Sequence, residues 1–125
     1  MSGSAPATLA MVTVDCADPA GEAAFWAAAL GWKVSYSDAN YGMVTKGHQR
    51  IGFGRVEGWQ APPWPNSYGS KQFHFDLAVD DLAEAEAQLL ALGATKPNDQ
   101  PSADWVVLLD PDGHPFCLTK AANWG

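Results

Sequence analysis

The chain has 125 residues, 47% of them hydrophobic and 17% charged, which suits one domain with a core of its own. Seven Lys and Arg against 14 Asp and Glu leave a net charge of −7. That excludes the basic stripe that nucleic acid requires and the polybasic patch that an anionic membrane surface requires.

Residues 1–8 lack a basic stretch and read as a short disordered tail, not a signal peptide. A first module is expected over residues 9–56. It opens with a strand in which Val12, Val14 and Cys16 alternate with Met11, Thr13 and Asp15. Asp18 suits a helix N-cap, Pro19 the first helical position and Gly31 the stop. Phe25, Trp26, Ala29 and Leu30 form the buried stripe of that helix. Strands are expected at Lys33–Tyr36, Tyr41–Thr45 and Ile51–Val56. A linker over 57–72 is rich in Pro and Gly and holds Trp59 and Trp64, two of the six tryptophans.

The second module spans 73–120. Phe73, Phe75, Leu77 and Val79 alternate with His74, Asp76 and Ala78 in its first strand. Asp81 caps the following helix, Glu84 stands at the capping-box position and Gly93 ends it. Leu82, Ala85, Leu89 and Leu92 form its stripe. A poorly defined strand around Thr95 precedes strands at Trp105–Leu109 and Phe116–Lys120. The turn Asp110-Pro111-Asp112-Gly113-His114 joins these two, and residues 121–125 form a second tail.

The two modules share one grammar. Met11 to His74 and Asp18 to Asp81 are both shifts of 63 residues, and Gly31 to Gly93 is a shift of 62. Internal repetition at that spacing outranks local propensity as a fold signal. Each half reads β-α-β-β-β, which gives an α+β fold. The pieces Val14-Asp15-Cys16-Ala17-Asp18-Pro19, Gln72-Phe73-His74-Phe75-Asp76-Leu77, Val79-Asp80-Asp81-Leu82, Leu92-Gly93-Ala94 and the run from Asp110 to Leu118 carry a resemblance. Over about residues 9–120 the chain resembles the vicinal oxygen chelate superfamily, and within it the small glyoxalase-like and bleomycin-resistance-like proteins.

The resemblance implies two tandem half-barrels that enclose an open, barrel-like cavity, and a homodimer. Met11, Thr13, Asp15, His74, Asp76 and Ala78 would face that cavity. Superfamily members that use a metal take ligands at positions matching Met11, Gly54, His74 and Cys117. Met11 is a poor ligand for a hard or borderline ion and Gly54 has no side chain. No cofactor is therefore expected. A divalent ion, if one binds, would sit at His74.

His74 and Asp76 share a strand face and form the candidate acid–base pair. Thr13 and Asp15 face them from the repeated strand. Gly52 and Gly54 mark either a bend in a curled sheet or room for a flat ligand. Trp59 and Trp64 form either a lid or dimer contact, or a stacking wall for a planar substrate. Trp105 would reach the cavity mouth, and Cys117 would lie in the last strand. Two acids and a histidine favour a ligand with hydrogen-bond donors or positive charge.

The expected function is binding of a small planar or aromatic molecule without metal, of the resistance or sequestration type. The rival is a lyase, isomerase or cyclase in which His74, with Asp76 or Asp15, moves a proton, or in which a metal sits at His74. Two isolated cysteines, Cys16 and Cys117, and the lack of a long apolar run point to the cytoplasm.

Overall fold

The computed structural model describes residues 5–125. The tail expected over 1–8 therefore lies partly outside the described residues. Strand β1 (Val12–Cys16) leads into helix α1 (Pro19–Leu30). The Asp18 carboxylate accepts the Gly21 N–H at 3.1 Å, and Pro19 occupies the first turn, where no N–H is needed. Gly31 ends α1 at φ 70°, a left-handed backbone that costs glycine nothing.

Strands β2 (Lys33–Ser37), β3 (Tyr41–Lys46) and β4 (Gln49–Arg55) follow. They form one sheet in the order β1-β4-β3-β2, with β1 parallel to β4 and the other pairs antiparallel. Helix α1 crosses β2, β3 and β4. The approach is tight at Gly42, where an added Cβ would stand 2.7 Å from the Pro19 carbonyl oxygen and 3.1 Å from Ala23 Cβ. Backbone cannot yield there as a flexible side chain would. Gly42→Ala is thus expected to cost about 1–3 kcal/mol by lifting α1 off the sheet. A urea unfolding midpoint unchanged by this substitution would contradict the contact.

The second module repeats the plan with less. Strand β5 (Asp76–Val79), helix α2 (Leu82–Leu92), β6 (Val106–Leu109) and β7 (Pro115–Lys120) form it, in the sheet order β5-β7-β6. Asp81 caps α2 through the Glu84 N–H at 2.9 Å. The strand expected near Thr95 is reduced to a single bridge between Thr95 and Leu109. The free edge of β6 is satisfied by Gln100 instead. Its side chain accepts the Val107 N–H and donates to the Val107 carbonyl, both at 2.9 Å. One amide side chain thus imitates a neighbouring strand.

Two expected boundaries change. The strand expected from Phe73 begins at Asp76, and Phe73 is fully exposed rather than on a buried face. Gln72 has φ 60°, a left-handed turn that interrupts the period-two pattern just before it. The closing segment 121–125 is not a loose tail: Ala121–Trp124 form a 3-10 turn, with Trp124 Nε1 donating to Thr119 Oγ1 at 2.7 Å.

One hydrophobic core joins the modules. Phe25, Trp26, Val44 and Phe53 of the first pack with Leu89, Leu108, Phe116 and Leu118 of the second. Trp26 stands at its centre, edge-on to Phe25 at 5.1 Å, Phe75 at 5.1 Å and Phe116 at 4.9 Å. The sheets stay open, and no residue of β2 is buried. Among the described residues no helix is long and apolar enough to cross a membrane.

Candidate functional site

Among the described residues β1 pairs on one side only, with β4, and β5 on one side only, with β7. Between the free side of β1 and the irregular segment 72–75 lies a cavity of about 800 Å³. Its walls are mainly apolar, built from Val12, Val14, Trp26, Phe73, Phe75 and Phe116 together with Pro62 of the linker. The polar groups are Thr13, Asp15, Gln72, His74, Asp110 and His114, with no Lys or Arg among them. A cavity with an aromatic wall, two carboxylates and no fixed cation favours a planar guest that brings positive charge or N–H donors.

His74 is held by two acceptors. Its Nδ1 lies 3.2 Å from the Gln72 carbonyl and its Nε2 lies 3.4 Å from Asp76 Oδ1. A carbonyl only accepts, so Nδ1 carries the hydrogen there. Cys117 Sγ completes a group with His74 and Asp76 in which one ligating atom from each lies within 4.8 Å of the others. Burial, chiefly, pushes the Cys117 thiol up to about 11, with Lys71 pulling it down and Asp76 adding to the rise. It is a thiol at neutral pH, not a nucleophilic thiolate.

The second polar group comes from the β6–β7 turn. Asp110 is almost wholly buried and accepts Trp26 Nε1 at 3.1 Å, the Asp112 N–H at 3.1 Å and the His114 N–H at 2.9 Å. Asp112 Oδ2 accepts the N–H groups of Ala17 and Asp18, both at 2.9 Å. The turn of the second module thereby caps the helix entry of the first. His114 faces the Asp15 carbonyl through Nε2 at 2.7 Å. Beside Asp110 lies Glu22, fully buried on α1, with both carboxyl oxygens lacking a donor. Burial is the main cause that raises its carboxyl to about 10, followed by a proton shared with Asp110 and the negative charges of Asp110 and Asp112.

The residues expected at the site divide. Thr13, Asp15 and His74 border the cavity. Asp76 touches His74 but, with Ala78, borders a second groove of about 770 Å³ between the end of α1, β5 and α2. The space over Gly52 is filled by the protein itself: an added Cβ would lie 2.5 Å from Tyr41 Oη and 3.1 Å from both Met11 Cε and Thr13 Oγ1. Gly54 is freer, its nearest neighbour being Thr13 Cγ2 at 3.9 Å. Trp59 and Trp64 are absent from the cavity lining. Trp59 packs on His114 at 4.9 Å and donates to the Asp112 carbonyl at 3.1 Å. Trp64 lies under Lys71 Nζ at 4.9 Å. Trp105 is exposed and Cys117 buried, both outside the cavity lining. The aromatic surface comes instead from Trp26, Phe73, Phe75 and Phe116.

Sequence reading passed over Glu22, Asp110 and His114. One signal for Glu22 was present: it lies four residues before Trp26, in phase with the buried stripe.

The ligand positions of metal-using superfamily members do not fit a divalent ion here. Met11 Sδ receives the Tyr41 hydroxyl at 3.6 Å and Gly54 offers nothing, so of the four positions His74 and Cys117 alone carry a usable donor, fewer than the three or four that a divalent ion takes.

The sequence profile of the glyoxalase-like domain matches residues 11–119. No curated protein matches the chain. Among solved structures, a glyoxalase/bleomycin resistance protein/dioxygenase family enzyme from Burkholderia phytofirmans PsJN is 20% identical, with 92% of this chain and 99% of that one covered and a TM-score of 0.65. The glyoxalase I of Leishmania major, described as trypanothione-dependent, is 18% identical over 94% of this chain and 89% of its own, with a TM-score of 0.60. The bleomycin-binding protein of Streptomyces verticillus, solved with copper(II)-bleomycin, is 16% identical over 94% and 98%, with a TM-score of 0.56. At these identities the likeness is one of fold. With a duplicated α+β architecture, open sheets and a profile match across nearly its whole length, the chain belongs to the glyoxalase-like domain family of the vicinal oxygen chelate superfamily.

Proposed function

We propose that this chain binds a small planar or aromatic molecule, cationic or rich in N–H donors, in the cavity between β1 and residues 72–75, with no metal at His74. The observation that carries the reading is the lining itself. A fully exposed Phe73 shares with Asp15 the lining of a cavity without Lys or Arg. Exposed aromatic rings beside carboxylates are what a flat cation would cover. A structural neighbour is named for binding bleomycin, which is compatible with a sequestration role for this one.

A titration tests it, following tryptophan fluorescence with matched planar amines and planar carboxylates of equal ring size. The amines are expected to quench and the carboxylates to bind at least tenfold more weakly. Phe73→Ala should weaken amine binding by about tenfold, the scale of one lost stacking contact. Equal affinity for both charge classes would remove the reading.

The His74–Asp76 contact favours a second reading, in which the cavity hosts proton transfer by a lyase, isomerase or cyclase. Turnover abolished in His74→Ala, with ligand binding retained, would establish it.

The partner we propose is a second copy of the chain. The open face of β2 and the ring of Tyr68 are exposed and call for cover. Sedimentation equilibrium is expected to return twice 13.3 kDa. A monomer at micromolar concentration would exclude the dimer. Both cysteines are free thiols, which suits the reducing cytoplasm we infer for it.

A further inference from the structure

We propose that Glu22, Asp110 and His114 form a divalent-cation site at the joint between the two modules, separate from the His74 position. One ligating atom from each side chain lies within 4.8 Å of the others. Glu22 comes from α1, and Asp110 and His114 come from the β6–β7 turn, so an ion there would tie the first module to the second.

Glu22 is the independent sign that something belongs there. It occupies a core position of α1, is fully buried, and aims two carboxyl oxygens that find no donor. A proton shared with Asp110 satisfies one of those oxygens at most. Among the described residues the ion pairs are His74–Asp76 and Lys96–Glu86, so no cationic side chain answers Glu22 or Asp110. Two carboxyl groups in one buried spot need an outside charge if both are to ionise.

The other two members are prepared for a ligand role. Asp110 is fixed in orientation by three N–H donors. His114 Nε2 faces the Asp15 carbonyl, which can only accept, so in the neutral ring Nδ1 keeps the lone pair. An imidazole whose far nitrogen donates to a backbone carbonyl is the usual state of a metal-bound histidine. Two oxygens and one imidazole nitrogen suit zinc, manganese or iron(II). Asp110 and His114 also border the cavity, which leaves a route for a fourth ligand or water.

The test is calorimetric titration of chelator-stripped, tag-free protein with zinc chloride and with manganese chloride. One ion per chain is expected. Glu22→Gln, which keeps the shape of the neutral acid, should weaken binding at least tenfold, and His114→Ala should do the same if Glu22→Gln folds poorly. His74→Ala should leave it within twofold. Absence of binding by the wild-type protein overturns the site. So does binding that survives Glu22→Gln but is lost in His74→Ala, because the ion then belongs to His74, Asp76 and Cys117. No organic ligand enters the measurement, so it stands or falls apart from the amine-binding reading.

Discussion

Trp26→Ala is expected to lose about 3–5 kcal/mol of folding stability, a large share of what a domain of this size holds. Three aromatic rings pack against that one side chain, two from the second module and one from its own helix. Its removal opens a void that spans the joint between the modules. It also withdraws the N–H that Asp110 Oδ2 accepts, leaving an almost wholly buried carboxylate one donor short. Trp26→Phe separates the two contributions. It keeps most of the packing and loses the donor with a smaller part of the ring, so about 1–3 kcal/mol is expected. Urea unfolding followed by circular dichroism reads both variants on one scale. If Trp26→Ala cost under 1 kcal/mol, the joint would not be the centre of the core.

The repeat made the fold legible. Asp18 with Pro19, and Asp81 with Glu84, are local signals whose caps need no distant partner, and both helices start where those residues stand. Period two worked where a strand had a sheet to lie in. It failed at Phe73, because alternation says nothing about a backbone turn such as that at Gln72. The cavity lining was legible at Thr13 and Asp15, which sit on a strand face, and at His74, which borders the cavity from the irregular segment ahead of β5. Trp59 was legible as unusual but not as to purpose. Its indole serves the turn at Asp112 and His114, more than fifty residues away, and such pairing leaves no local mark. Asp110 and His114 read as turn formers, and they are that. Their second role arises because α1 of the other module brings Glu22 against them. Long-range juxtaposition of this kind is set by the docking of modules, which no window of sequence contains.

The same juxtaposition makes stability depend on pH in a stated direction. In metal-free protein Glu22 is held protonated up to about 10, against an ordinary carboxyl value of 4.5. Between those limits the folded chain keeps a proton that the unfolded chain releases. The unfolded state therefore binds fewer protons, and stability falls as pH rises. Glu22's contribution is fully present below 4.5 and is lost progressively up to about 10. Each pH unit in that window removes about 1.4 kcal/mol at most. The groups that face Glu22 are Asp110, Asp112 and His114 from the β6–β7 turn and Cys16 from β1. The nearby acids deepen the effect, since each adds negative charge beside the carboxyl. Glu22→Gln carries no proton to lose. In chelator it should be more stable than the parent at pH 7, with the difference widening toward pH 9 and closing below pH 5. Chemical denaturation of the two proteins across that range measures the difference directly, and groups common to both cancel. Parallel profiles would mean that Glu22 ionises in the folded chain as freely as in the unfolded one, and hence that it is not sealed against Asp110 by the packing of α1 on the turn.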